Sequence, residues 1–134
     1  MIIRPFKAED YNQVIELLKL CNVEPPVEQS DLKGICYVAE IEYKIVGCLW
    51  AVNGLSTCAY LDFFAIHPDY QNTKLGWNLL KVMDKTLRLN NIHRYYFYIE
   101  PDNTYFIDLV DKYRKAYRVR KLRDLQFYRR EIGE

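Results

Sequence analysis

The sequence lacks every paired-cysteine signature. Its four cysteines, Cys21, Cys36, Cys48 and Cys58, form no C-x-x-C pair, and its two histidines, His67 and His93, lie close neither to each other nor to a cysteine along the chain. A structural zinc site or a disulfide framework requires such clustering, so neither is supported. Three of the cysteines fall in predicted strands, where a free thiol behaves as a small buried hydrophobe, and the histidines read as strand-end residues. No apolar run is long enough to span a bilayer, and the N-terminus lacks the basic-then-apolar pattern of a signal peptide, so a cytoplasmic protein is expected. There is no internal repeat, low-complexity tract or Gly/Ser linker. At 134 residues the chain is expected to form one domain, residues 1–134, with one core.

Half of the residues are hydrophobic and 28% are charged, and the formal net charge is only +1. That balance suits a globular protein, but its distribution is uneven. Acids lead early (Glu9, Asp10, Glu16, Glu24, Glu28, Asp31), whereas Lys112, Arg114, Lys115, Arg118, Arg120, Lys121 and Arg123 crowd together late. Such asymmetry bears on partners and not on fold.

Periodicity gives the order of elements. Met1 to Pro5 reads as a strand, followed by a helix with Asp10 as N-cap and Tyr11, Val14, Ile15 and Leu18 on one face. Residues 21–34 contain Pro25 and Pro26 and read as a loop. Strands are expected at 35–41 and 44–53, joined tightly through Glu42 and Tyr43, and a third at 57–67 after an Asn53-Gly54 turn. A helix over about 75–89 places Leu79, Leu80, Met83 and Leu87 on one face. The aromatic run 93–99 reads as a buried strand. Pro101 and Asp102 open a last helix to about Lys115, with Phe106, Leu109, Val110 and Tyr113 on one face, and 117–120 with 125–132 close the chain as a hairpin.

The stretch from Tyr60 to Leu80 is the most informative. An apolar strand ends in a proline, a short polar loop follows, and a helix begins with glycine in its first turn. Backbone N–H groups at a helix N-terminus lack intrahelical partners and sit at the positive end of the helix dipole, which suits a pyrophosphate. The other reading of the same pattern is an ordinary strand-loop-helix connection. In wording, Ile66-His67-Pro68, Gln71 and Gly76 resemble motif A of the GNAT superfamily (GCN5-related N-acetyltransferases), in which an apolar residue, any residue and Pro lead into R/Q-x-x-G-x-G/A. Lys74 stands where the family has its first glycine. Ile3-Arg4-Pro5 with Glu9-Asp10-Tyr11, and the Ile-Glu-Pro-Asp-Asn run at 99–103, also resemble the family's opening and its entry to the fourth helix.

The resemblance implies an α/β (α+β) fold with a single mixed, mostly antiparallel sheet, helices on both faces and a parallel strand pair, 57–67 with 93–99, that splays apart. It implies acetyl-CoA as cofactor and direct acyl transfer to a primary amine of a small molecule, peptide or protein, without a nucleophilic residue. The oxyanion donor maps to the backbone N–H of Phe64, with pantetheine near Ile66. The pyrophosphate maps to the amides of Gln71, Asn72, Thr73, Lys74, Leu75, Gly76 and Trp77. Lys74 would either crowd the phosphates or offer them a cation. Asn103, at the entry to the last helix, belongs to the cofactor set.

Asp62 shares a face with Phe64 and Ile66 by strand alternation, which makes it a candidate base, with Glu100 second; a hydrogen-bonded, partly buried carboxylate is the competing role. Tyr113 is the nearest match to the family's general acid, one turn later than usual, with core packing as the competing role. Residues 112–123 interleave bases and aromatics, and Arg118 and Arg120 would project together as a basic stripe. That stripe reads either as a solvated face or as a contact for nucleic acid or an acidic protein. The alternative function is accordingly a catalytically weakened GNAT-fold binding module. Neither a membrane partner nor an oligomeric state is indicated.

Overall fold

A computed structural model describes residues 1–25, 34–53 and 58–117. Within them five strands form one sheet in chain order: β1 (Ile2–Pro5), β2 (Ile35–Ile41), β3 (Lys44–Asn53), β4 (Cys58–Ile66) and β5 (Arg94–Phe97). The first four pair antiparallel, and β4 pairs parallel with β5. The helices are α1 (Tyr11–Leu20), α2 (Leu75–Leu89) and α3 (Thr104–Tyr117). The Asn53-Gly54 turn and the closing hairpin with Arg118 and Arg120 lie outside the described residues. Among those described, no helix is long and apolar enough to cross a membrane.

Local chemistry accounts for the connections. Glu42 and Tyr43 have φ of 49° and 66°, the two left-handed residues of a tight hairpin turn whose twist suits its flanking strands, and Ile41 pairs directly with Lys44. Between β4 and β5 the chain must cross over because the pair is parallel, and α2 is that crossover. Some expected boundaries move. β5 ends at Phe97 rather than Ile99; α3 begins at Thr104, since Pro101 and Asp102 form a turn and the Asn103 side chain accepts from the Phe106 N–H at 3.2 Å; and α3 runs through Tyr117, where the sequence pattern opens the closing hairpin.

Each face of the sheet has its own core. α2 and α3 cover one face, where Leu49, Leu61, Phe64 and Ile66 meet Leu79, Met83, Leu87 and Phe106. α1 covers the other, with Val14, Leu17 and Leu18 against Val38, Cys48, Trp50 and Phe63. The first-helix stripe therefore closes with Leu17 rather than Ile15. Burial of each such large side chain contributes about 1.5–3 kcal/mol.

Asp10 does not cap α1 with its side chain. Its carboxylate turns back to the Arg4 guanidinium, accepting at 2.7 and 2.8 Å, and to the Lys7 N–H at 2.8 Å, while Arg4 also donates to Glu40 at 3.0 Å. A bidentate charge-assisted pair outweighs a single cap bond. This cluster ties β1, β2 and the start of α1, and its hydrogen bonds from Arg4 hold the nearly buried Asp10 carboxyl below the usual carboxylate range.

Gly76, in the first turn of α2, is where α3 comes closest. A methyl group there would collide with the Tyr105 hydroxyl and would stand 3.0 Å from Leu109 Cδ2 and 3.3 Å from Phe64 Cζ. A larger residue here would require the Tyr105 side chain to move and Leu109 to give way.

Two outcomes follow for stability. Asp10→Asn should cost about 3 kcal/mol at neutral pH, as expected when one partner of a buried ion pair is removed. Because the folded pKa is depressed, Asp10 stabilises the fold above its unfolded pKa of about 3.9, and the contribution fades as pH falls through the lower folded value. Urea denaturation at a series of acidic pH values should show that loss in the native protein and not in Asp10→Asn. Gly76→Ala should gain about 1 kcal/mol of helix propensity and lose about 1–3 kcal/mol to overpacking. The same measurement should find it less stable, and Tyr105→Phe in the same chain should restore part of the loss.

Candidate active site

The β3–β4 ladder changes register at one point: Ala51 pairs with Leu61, yet Trp50 pairs with Phe63. Asp62 is the extra residue, a β-bulge in β4. Side-chain alternation reverses across it. Ala59, Leu61, Phe64 and Ile66 belong to the core under α2 and α3, while Phe63 and Ala65 belong to the core under α1. The expectation that Asp62 shares a face with Phe64 and Ile66 therefore does not hold; simple alternation assumes an unbroken ladder.

Pairing with β5 stops at the same place. Leu61 opposite Phe97 is the last parallel pair, and β4 continues alone to Ile66. The backbone orientation beyond that point follows from one hydrogen bond, His67 N–H to Val46 C=O at 2.8 Å. Antiparallel pairs alternate between bonded and non-bonded, so Cys48–Ala65 is bonded and Leu49–Phe64 and Gly47–Ile66 are not. Phe64 and Ile66 thus turn their N–H and C=O groups away from β3, into the gap that β5 has left. The Ile66 carbonyl there already accepts from the Cys21 thiol at 3.3 Å and the Gln71 side-chain amide at 3.0 Å.

That gap is a cleft of about 1100 Å³. Residues 60–66 form one wall, residues 20–25 after α1 a second, and Tyr98, Glu100 and residues 102–106 a third, with Pro68 and Gln71 at one end. Of the expected site residues it brings together Asp62, Phe64, Ile66, Gln71 and Asn103. Glu24, Asp62, Glu100 and Asp102 put four carboxylates on the lining, and no lysine, arginine or histidine is among the described lining residues. Desolvation by the walls raises the Asp62 carboxyl above its usual range, although its residue as a whole is exposed. The thiols behave otherwise: burial pushes Cys36 up to about 12 and holds Cys48 well above the usual thiol range, so both remain protonated core residues.

Asn72, Thr73, Lys74, Leu75, Gly76 and Trp77 do not line the cleft. They form the turn into α2, which Thr73 organises by donating to the Tyr70 carbonyl at 2.6 Å and accepting from the Leu75 N–H at 3.3 Å. The first-turn N–H groups of Gly76 and Trp77 have no intrahelical acceptor by helix geometry. Lys74 is exposed, with φ −78° and ψ 6°, a conformation open to any residue, so the backbone does not require glycine here. Tyr113 lies on α3, and its side chain is outside the described residues.

Two residues at this site escaped the sequence. Cys21 reaches the open edge of β4 from the C-terminal end of α1. Tyr105 sits in the cleft wall with its hydroxyl against Gly76. Nothing in local pattern marks either one; a glycine in a helix's first turn, demanding a close neighbour, is the one available hint.

The profile of the Acetyltransferase (GNAT) family matches residues 6–114. The acetyltransferase SG1711 of Sodalis glossinidius is 24% identical over 122 residues, covering 84% of this chain and 84% of that protein. Among solved structures, diaminobutyrate acetyltransferase EctA of Paenibacillus lautus, in complex with L-2,4-diaminobutyric acid and coenzyme A, superposes with a TM-score of 0.75 at 16% identity, covering 86% of this chain and 75% of that one. The ribosomal-protein-S18-alanine N-acetyltransferase of Escherichia coli does so with 0.72 at 19%, covering 84% and 75%. The matched span contains the bulged β4, the partner that leaves it and the turn into α2, and the chain belongs to the Acetyltransferase (GNAT) family.

Proposed function

We propose that the protein transfers an acetyl group from acetyl-CoA directly to a primary amine. The observation that carries this reading is the coincidence of bulge and splay, which leaves the Phe64 and Ile66 amides unpaired along a cleft wall. Acetyl-CoA supplies an activated thioester. The Phe64 N–H is placed to stabilise the thioester oxygen as negative charge develops on it, and the Ile66 N–H to hold the pantetheine arm. The first-turn amides of Gly76 and Trp77 sit at the positive end of the α2 dipole and suit the pyrophosphate, and exposed Lys74 adds a cation at its edge.

An ammonium must lose a proton before its nitrogen can attack the carbonyl carbon, and the departing thiolate must gain one as the carbon–sulfur bond breaks. Asp62 accepts the first, directly or through water, and Tyr113 on α3 supplies the second; the nitrogen sheds another proton as the amide forms, which balances the one that Tyr113 gives to sulfur. The carboxylates around the cleft favour an acceptor that arrives positively charged.

Titrating the protein with acetyl-CoA should give a saturable isotherm, and Lys74→Ala should weaken it about fivefold, the worth of one exposed charge contact. Tighter binding in Lys74→Ala would mean that the lysine obstructs. Tyr113→Phe should lower kcat by about 10²–10⁴ with cofactor affinity retained; full activity in that variant would make Tyr113 a packing residue. The base must be ionised to work, so kcat/KM should rise with pH through the elevated Asp62 pKa, and Asp62→Asn should abolish that limb of the profile.

A further inference from the structure

Among the described residues, the Tyr105 hydroxyl is the one buried side-chain oxygen or nitrogen with no hydrogen-bond partner. It is not at a remote point of the core. It lies directly over Gly76, beside Leu109 and Phe64, where β4, the first turn of α2 and the first turn of α3 converge. Leu75 and Gly76 are buried, and the side chain whose hydroxyl lies against Gly76 belongs to a residue of the cleft wall. Tyr105 therefore joins the cleft to the first turn of α2.

This arrangement conflicts with simple entry of a cofactor. A pyrophosphate at the Gly76 amide and a pantetheine arm on the open edge of β4 must be continuous, and Tyr105 touches both the cleft and Gly76. An unpartnered hydroxyl in apolar surroundings is poorly held, since its burial is uncompensated and water or a phosphate would satisfy it. Turning the side chain about its own torsions removes the obstruction without moving the helix. The start of α3 is itself fixed by the Asn103 cap and by hydrogen bonds from the Asn103 and Thr104 amides to Glu100 and Asp102 carbonyls.

We propose that Tyr105 is a gate on the cofactor groove: in the free protein its ring covers the first turn of α2 at Gly76, and acyl-CoA binds when that ring swings out. The inference rests on the acyl-CoA reading above and adds to it a closed free state. Apparent affinity is then reduced by the fraction of molecules that are closed. Removing only the hydroxyl makes the closed position more comfortable, whereas removing the ring abolishes it.

The experiment compares wild type, Tyr105→Phe and Tyr105→Ala by CoA isotherm, stopped-flow association and thermal unfolding of the free protein. Tyr105→Phe should raise the free protein's Tm and weaken CoA about threefold to tenfold, because an uncompensated buried hydroxyl is gone from the closed state. Tyr105→Ala should associate about tenfold faster and bind more tightly. Weaker binding in both variants, with unchanged association rates, would make Tyr105 a cofactor contact and overturn the gate. Unchanged affinity and Tm in Tyr105→Phe would overturn it even if Tyr105→Ala fails to fold. A wild-type protein that binds no CoA would remove the parent reading and the gate together, whereas normal wild-type binding with indifferent variants would remove the gate alone.

Discussion

The site depends on a single irregular residue in β4. Asp62 is inserted into the ladder with β3 at the point where β5 stops pairing. Either feature alone would do little: a bulge inside a fully paired sheet would merely kink it, and a strand end without the bulge would leave the alternation of side chains unchanged. Together they keep Phe64 and Ile66 packed under α2 and α3 while their backbone groups face an open cleft. The donors cost nothing further to organise, because β3 and two cores already hold the strand rigid.

The surroundings limit how that edge can be used. The Ile66 carbonyl is occupied by Cys21 and Gln71, which anchors the segment after α1 and the turn before α2 to the end of β4. The N–H of Ile66 and both groups of Phe64 carry no such anchor. On the other side of the cleft, the Tyr105 hydroxyl lies so close to Gly76 that a methyl group there would meet it unless the ring moved. Far from the cleft, the Arg4–Asp10–Glu40 cluster does a separate task, holding the edge strand and α1 in register with β2.

Much of this was legible in the sequence where a pattern is local. The Glu42–Tyr43 hairpin, the α2 face of Leu79, Leu80, Met83 and Leu87, and the Ile66-His67-Pro68 end of β4 are each read from a few neighbouring residues, and the parallel pairing of β4 with β5 followed from the family resemblance. What alternation cannot reveal is a place where alternation breaks: Leu61-Asp62-Phe63-Phe64 reads equally well as an unbroken strand, and the two adjacent aromatics make sense only once they point to opposite cores. Asp10 had the position of a helix cap, yet a guanidinium six residues earlier claimed its carboxylate. Gly76 matched a phosphate-loop glycine, and its nearest neighbour proved to be a tyrosine from another helix. Such contacts are set by tertiary approach, which no window of sequence encodes. The basic stripe at Arg118 and Arg120 lies outside the described residues.

Amide hydrogen exchange, resolved by residue and measured with and without coenzyme A, tests the central claim most directly. In the free protein the Phe64 and Ile66 amides should exchange far faster than those of Phe63 and Ala65, which bond to β3, and coenzyme A should protect Phe64 and Ile66 while leaving the other two unchanged. Slow exchange at Phe64 and Ile66 in the free protein, or no added protection when coenzyme A binds, would contradict the account of β4 as the open edge on which the cofactor is held.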